Sequence, residues 1–375
     1  MSVFIRTLLL SFAGLLVAII LGFTASPQQV SITQEPPALQ EIIEELPVPT
    51  VASTTVVATP EVTKKPIPAT PPKPSTATNT VVAPEVAPAQ PSLSSSNLNT
   101  LARASIVNVL CVTKTGGPLN SISASGVIID PRGTIVTNAH VGQYFLLRNY
   151  PSENFVECTI RTGSPAAPMY TAELLFISPS WIRDNANKIN QDRPTGNGEH
   201  DYAFLRITGT VHKNILLPSS FPYLPLSVNP PTEGEQVLVA GYPAGFLGGI
   251  TVQKNLYASS ANTVVGELFT FISDTVDLFS LGGTVVSQQG SSGGAAVNGS
   301  GSLIGVIATS SDAPDTGSRD LRAITTSYII ADFQKETGVR LGTYLIGNTE
   351  VTARVFAQTT APTLTQILID AIKNN

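Results

Sequence analysis

Histidine is scarce in this chain of 375 residues, with only His140, His200 and His212 present. Any chemistry that needs an imidazole must therefore draw on one of three positions. Cysteine is scarcer still: Cys111 and Cys158 allow one disulfide at most and are too few for a zinc site of the usual spacing. Bridged and free thiols both remain open, and neither cysteine has an adjacent basic residue that would make it reactive. Charged residues make up only 13% of the chain, the net charge is −5, and no basic run occurs. Phosphate neutralisation then has no source, which excludes nucleic acid as a partner.

Charge is also missing from Thr7 to Ala25, nineteen residues that follow Arg6. At about 1.5 Å per residue a helix of that length comes close to spanning a hydrocarbon core of about 30 Å. Residues 1–25 are therefore expected to be a transmembrane anchor. A cleaved signal peptide is the competing reading, disfavoured by the bulky Phe23 before Ala25. Arg6 before the span and only glutamates soon after it leave the N-terminus in the cytoplasm and the remainder outside, at the cell surface or in a periplasm. The same remainder would be secreted if the segment were cleaved.

From Ser26 to Asn97 there is no aromatic residue, and 14 of the 29 prolines fall here. A chain of this composition buries too little apolar surface to offset its ordering entropy, so residues 26–97 read as a disordered tether.

Residues 98–345 change character. Short apolar runs recur between Gly, Pro, Asn and Ser clusters: 106–113, 122–130, 155–161, 170–177 and 202–207, then, after a Pro-rich crossing at 218–231, 236–241, 251–258, 283–287 and 302–309. Two groups of strands predict an all-β unit of two packed six-stranded barrels, about 101–213 and 222–326. A helix over 327–337 closes the unit, with Tyr328, Ile329, Ile330 and Phe333 on its apolar side and Gly338 as its stop.

The second group contains Gly290-Ser291-Ser292-Gly293-Gly294. Glycines around a serine let the backbone bend sharply, exposing the hydroxyl and aiming the N–H groups of Gly290 and Ser292 at one point, as nucleophilic acyl transfer requires. All three histidines precede Ser292, which excludes the α/β-hydrolase order. His140 ends the apolar run 133–141, whereas His200 and His212 lie in polar surroundings and are expected to face solvent. Among the intervening aspartates only Asp201 heads a buried-looking run, Asp201-Tyr202-Ala203-Phe204-Leu205-Arg206-Ile207. A carboxylate there could be held dry against an imidazole.

These residues, together with Ser125-Gly126-Val127-Ile128-Ile129-Asp130, Thr137-Asn138-Ala139-His140-Val141, Val237 to Pro243 and Leu303 to Ala308, resemble the trypsin-like serine peptidases of the chymotrypsin fold. The HtrA/Deg branch is the nearest, and the resemblance covers roughly 101–340. It implies a serine endopeptidase acting on polypeptides, with His140, Asp201 and Ser292 as a catalytic triad, Gly290 and Ser292 as oxyanion-hole donors, and neither metal nor organic cofactor. It also implies a specificity pocket lined by Val286, Ser287, Ala308, Thr309 and Ser310. Val286 stands where a trypsin carries an aspartate, so a small or medium aliphatic side chain is expected ahead of Lys or Arg. A catalytically silent, protease-like peptide-binding module is the alternative.

Three departures accompany the resemblance. A PDZ domain would follow the closing helix, but Val339 to Asn375 are too few to fold one, and Leu364, Ile367, Leu368, Ala371 and Ile372 at helical spacing predict a packing or oligomer helix within the extension 346–375. Residues 181–200 read as a solvated loop near the cleft. Ser291 replaces the aspartate that pairs with a new N-terminus in zymogen-type trypsins, so activation by N-terminal clipping is not expected.

Overall fold

A computed structural model describes residues 92–374, apart from 192–195, 246, 272–273 and 311–314, together with the side chains of 309 and 310. The expected membrane segment and nearly all of the tether lie outside the described residues. Among the described residues no helix is long and apolar enough to cross a membrane.

Helix α1 (Ser95–Ser105) leads into β1 (Ile106–Thr113), β2 (Ile122–Ile128), β3 (Thr134–Thr137), helix α2 (Ala139–Leu146), β4 (Val156–Thr162), β5 (Ala167–Ile177) and, beyond helix α3 (Pro179–Asn185), β6 (Ala203–Thr210). These six strands close into an antiparallel barrel in the order β1-β2-β3-β6-β5-β4. Its interior holds Val107, Val109, Ile135, Ile160 and Leu205, all fully buried. Cys111 and Cys158 face each other in the β1–β4 register and are joined by a disulfide.

The second half differs from the expected six-stranded barrel. Strands β7 (Gln236–Gly241), β8 (Ser259–Val264), β9 (Leu268–Phe269), β10 (Leu278–Ser280), β11 (Ala295–Asn298), β12 (Leu303–Ser310) and β13 (Leu321–Thr325) form one seven-stranded sheet, ordered β8-β7-β11-β12-β13-β10-β9. Two expected strands are absent. Residues 251–258 become helix α4 (Gly249–Lys254) and a loop before β8. Residues 283–287 form a turn, because the Ser287 and Thr284 hydroxyls bond to nearby backbone: Thr284 N–H donates to Ser287 Oγ at 2.9 Å and Val286 N–H to Thr284 Oγ1 at 3.1 Å. Such local bonds compete directly with a strand ladder.

The alternation of side chains along a strand explains how this sheet is held. Leu238 and Ala240 of β7 point into the core shared with the first barrel, while Val237 and Val239 join Phe279, Ile304 and Ile307 in a second core on the other face.

Helix α5 (Thr326–Thr337) runs as expected. Thr325 caps it by accepting the Tyr328 N–H, and Gly338, at φ +72°, ends it in the left-handed region that glycine tolerates. It buries Ile329 and Phe333, with Tyr328 and Ile330 partly covered. Three more helices follow: α6 (Leu341–Ile346), α7 (Thr349–Thr359) and α8 (Ala361–Asn374). The last buries Leu364, Leu368 and Ile372 against α2, α3 and the adjoining 3₁₀ turn Ala186–Lys188 of its own chain. The expected solvated loop at 181–200 is thus largely a docked segment: Ser178 caps α3 by accepting the Trp181 N–H, and Trp181 and Ile182 are buried.

Candidate active site

β3 ends at Thr137, and Asn138 turns the chain into α2, so His140 occupies the first turn of a short helix at the barrel rim. Asp201 lies two residues before β6, the neighbour of β3, and the pairing Thr137↔Ala203 brings the two strand ends together. The buried Asp201 carboxylate then meets His140 twice: Oδ1 accepts the His140 backbone N–H at 3.0 Å, and Oδ2 lies 2.8 Å from Nδ1. Asn138 Nδ2 donates to the Asp201 carbonyl at 3.0 Å, and Gln143 Nε2 donates to the His140 carbonyl at 2.8 Å. With Nδ1 donating to the carboxylate, Nε2 is the nitrogen left to act as base. Burial pushes the imidazole down, the Asp201 charge and then its hydrogen bond push it up, and the outcome lies above the ordinary value of 6.5.

Ser292 is carried on two turns that share Ser291. Ser291 N–H donates to the Gln288 carbonyl at 3.2 Å, and Gly294 N–H donates to the Ser291 carbonyl at 2.8 Å. In each turn a glycine with positive φ holds the third position, Gly290 at +92° and Gly293 at +84°, which is the type II requirement. A Cβ on Gly293 would lie 2.0 Å from the Ser125 carbonyl oxygen, so only glycine fits. This construction leaves the N–H groups of Gly290 and Ser292 outside the turn hydrogen bonds, and among the described residues neither donates to a backbone acceptor. The Gln289 carbonyl accepts the Ala244 N–H at 2.7 Å. In a trans peptide the Gly290 N–H must then point away from Ala244.

Ser125, on β2, joins the serine turn to the first barrel. Its N–H donates to the Ser292 carbonyl at 2.7 Å, its Oγ donates to the Gly290 carbonyl at 2.7 Å and accepts the Tyr242 N–H at 2.9 Å, and its carbonyl accepts Thr137 Oγ1 at 2.8 Å. Ser292 is thereby docked against the strand that leads to His140. Among the described residues no hydrogen bond joins Ser292 Oγ to His140. The sequence did not single out Ser125 as the residue that holds the serine turn; a small polar residue inside an otherwise apolar strand is the signal it offers.

Of the pocket residues, Val286 is buried in the second core, Ala308 is buried, and Ser287 is buried with its carbonyl accepting Arg319 Nη1 at 3.0 Å. The side chains of Thr309 and Ser310 lie outside the described residues. Ser291 is fully buried, and among the described residues its Oγ has no hydrogen-bond partner. His212 is exposed as expected, but His200 is not: its ring bonds to Asp332 at 2.7 Å with 18% of the side chain accessible. His200, Asp332 and Glu336 bring three donor atoms within 4.8 Å of one another. With the imidazole bonded to Asp332, the group is a hydrogen-bonded hub.

Residues 124–306 match the family model described as the trypsin-like peptidase domain. A crystal structure of the serine endoprotease from Yersinia pestis is similar at 21% identity and a TM-score of 0.40, over 66% of this chain and 69% of that one. No curated protein matches the sequence.

Proposed function

We propose that this protein is a serine endopeptidase of the HtrA/Deg type that works outside the cytoplasm, tethered through residues 7–25. The observation that carries the reading is the His140–Asp201 pair, formed at 2.8 Å beside a serine turn whose Gly290 and Ser292 N–H groups are free of backbone acceptors. Neutral His140 takes the Ser292 proton as the hydroxyl attacks a peptide carbonyl, then returns it to the leaving amine. Asp201 fixes the tautomer and balances the imidazolium charge. The Gly290 and Ser292 N–H groups receive the oxyanion, each worth about 10²- to 10³-fold in rate. The reading needs neither metal nor organic cofactor. Val286 supplies no counter-charge for a Lys or Arg side chain, so a small or medium aliphatic side chain is favoured before the scissile bond. The Cys111–Cys158 bridge supports an oxidising compartment.

The absence of a Ser292–His140 hydrogen bond favours a second reading, a silent peptide-binding module. Such contacts commonly tighten only in the Michaelis complex, so the first reading stands ahead. The test is labelling of the full-length protein by a fluorophosphonate probe. Covalent labelling that disappears in Ser292→Ala supports the peptidase; an intact, peptide-binding protein that never labels supports the module.

A further inference from the structure

The two residues on either side of Asp201 are held by one oxygen atom. Asp332 Oδ2, on the buried face of α5, accepts His200 Nδ1 at 2.7 Å and the Tyr202 hydroxyl at 3.0 Å. The His200 backbone N–H adds a bond to the Tyr328 hydroxyl of the same helix at 3.2 Å. Between these two anchors the Asp201 side chain goes to His140 instead. His200 adopts φ +58°, uncommon for a non-glycine residue, and Gly198 adopts φ +93°. The chain thus bends sharply into Asp201 and is fixed immediately before and after it.

We infer that Asp332 is a positioning residue for the Asp201–His140 pair, acting through His200 and Tyr202, so that α5 as well as the first barrel sets where the Asp201 carboxylate stands. The inference rests on the proposed peptidase reading for its consequence, though not for its geometry.

The groups facing this hub come from several elements. Glu199 lies 3.8 Å from His200 Nε2; Glu336, one helical turn beyond Asp332, accepts the Ser180 N–H at 3.2 Å; Tyr328 and Tyr202 supply hydroxyls. Burial, followed by the charges of Asp332 and Glu336, keeps the Tyr202 hydroxyl protonated far above its usual range, so it remains a donor to Asp332 at any working pH. The hydrogen bond to Asp332 is the largest influence on His200; burial opposes it, the charges of Asp332, Glu336 and Glu199 add to it, and the ring is held above its usual value. Both links therefore survive near neutral pH and fail together only if the Asp332 carboxylate is lost.

The experiment compares full-length wild type with Asp332→Asn and, as a milder change that removes one link only, Tyr202→Phe. The primary readout is the titration of the His140 imidazole followed by proton NMR, which needs no turnover. Loosening Asp201 weakens the influences that raise His140, so its midpoint should move to lower pH in Asp332→Asn and in the same direction, by less, in Tyr202→Phe. Misplacement of a catalytic group by about 1 Å can cost on the order of 10²-fold, and a fall of that order is expected in kcat per fluorophosphonate-titrated site, with KM unchanged. Asp332→Glu, which keeps a carboxylate, should recover part of the loss.

The inference is overturned if the His140 midpoint is the same in all variants, or if activity falls only in proportion to the number of titratable sites, which would mean that Asp332 merely stabilises the fold. Should Asp332→Asn fail to fold, Tyr202→Phe decides by the same shift. A wild type that neither labels nor cleaves would remove the peptidase reading and leave the NMR comparison intact.

Discussion

The Ser125 hydroxyl and the Gly290 carbonyl, 165 residues apart, meet in a buried hydrogen bond of 2.7 Å. That contact fixes the carbonyl on one side of Gly290, as the Ala244–Gln289 bond fixes the carbonyl on the other. The Gly290 N–H shares its peptide plane with the Gln289 carbonyl, so Ala244 orients the proposed oxyanion donor while Ser125 holds the next peptide from the first barrel. Ser125→Ala leaves both the Gly290 carbonyl and the Tyr242 N–H without their partner, at a cost of about 1–3 kcal/mol in stability. If Gly290 then turns, kcat should fall by about 10²- to 10³-fold, the effect of losing one donor. Turnover per active site and a urea midpoint measure the two effects separately.

The environment of His140 gives a pH prediction with two opposite signs. The base must be neutral, and its pKa lies above 6.5 in the folded protein. The acidic limb of kcat/KM should therefore lie above that of an unperturbed histidine, with activity rising as pH increases through it. Stability runs the other way. A raised folded pKa contributes stability that is fully present below the unfolded value and is lost as pH rises through the folded one. Asp201→Asn removes the two influences that raise the imidazole and leaves burial, so the limb should move to lower pH as activity collapses. A pH–rate profile for both proteins, with a denaturation midpoint at each pH, checks both signs.

The first barrel was legible because its strands are buried on one side or both and carry long apolar runs; β1 has the boundaries that the pattern predicts. The second half was less so. β9 and β10 are two and three residues long, too short for a period to show. The run 251–258 begins after paired glycines and folds as a helix whose end is held by Arg161, which donates from Nη1 to the carbonyls of Val252 and Gln253 at 2.9 Å. Nothing local announces that long-range bond. His140, Asp201 and Ser292 stood out because their types and order are chemically restrictive. Ser125 and Asp332 act through shape and hydrogen bonds with distant residues, which a linear sequence does not display.

The bridge between β1 and β4 closes a loop with a sequence separation of 47 residues. In the chain-entropy picture a loop of that size is worth about 4 kcal/mol. Replacing Cys111 and Cys158 together by serine should lower the unfolding free energy, read from urea denaturation, by an amount near that figure. Wild type under reducing conditions should approach the double variant. A double variant as stable as oxidised wild type would show that the barrel alone holds β4.

Helix α8 makes the final case, because its apolar stripe had two readings, packing within the chain or contact between copies. Leu368 is fully buried under α2, α3 and the 3₁₀ turn, and Thr365 Oγ1 donates to the Leu146 carbonyl at the end of α2, the helix that begins with Ala139-His140. Leu368→Ala should cost about 2–5 kcal/mol, the usual range for a cavity of that size. Trp181→Ala, on the facing element, should cost about 3–5 kcal/mol. Because α3 and α8 pack against each other, the two costs should couple rather than add in a double-mutant cycle. Because the stripe is satisfied internally, sedimentation of Leu368→Ala should give the same oligomeric state as wild type. A change of oligomeric state without loss of stability would assign the stripe to contact between copies instead.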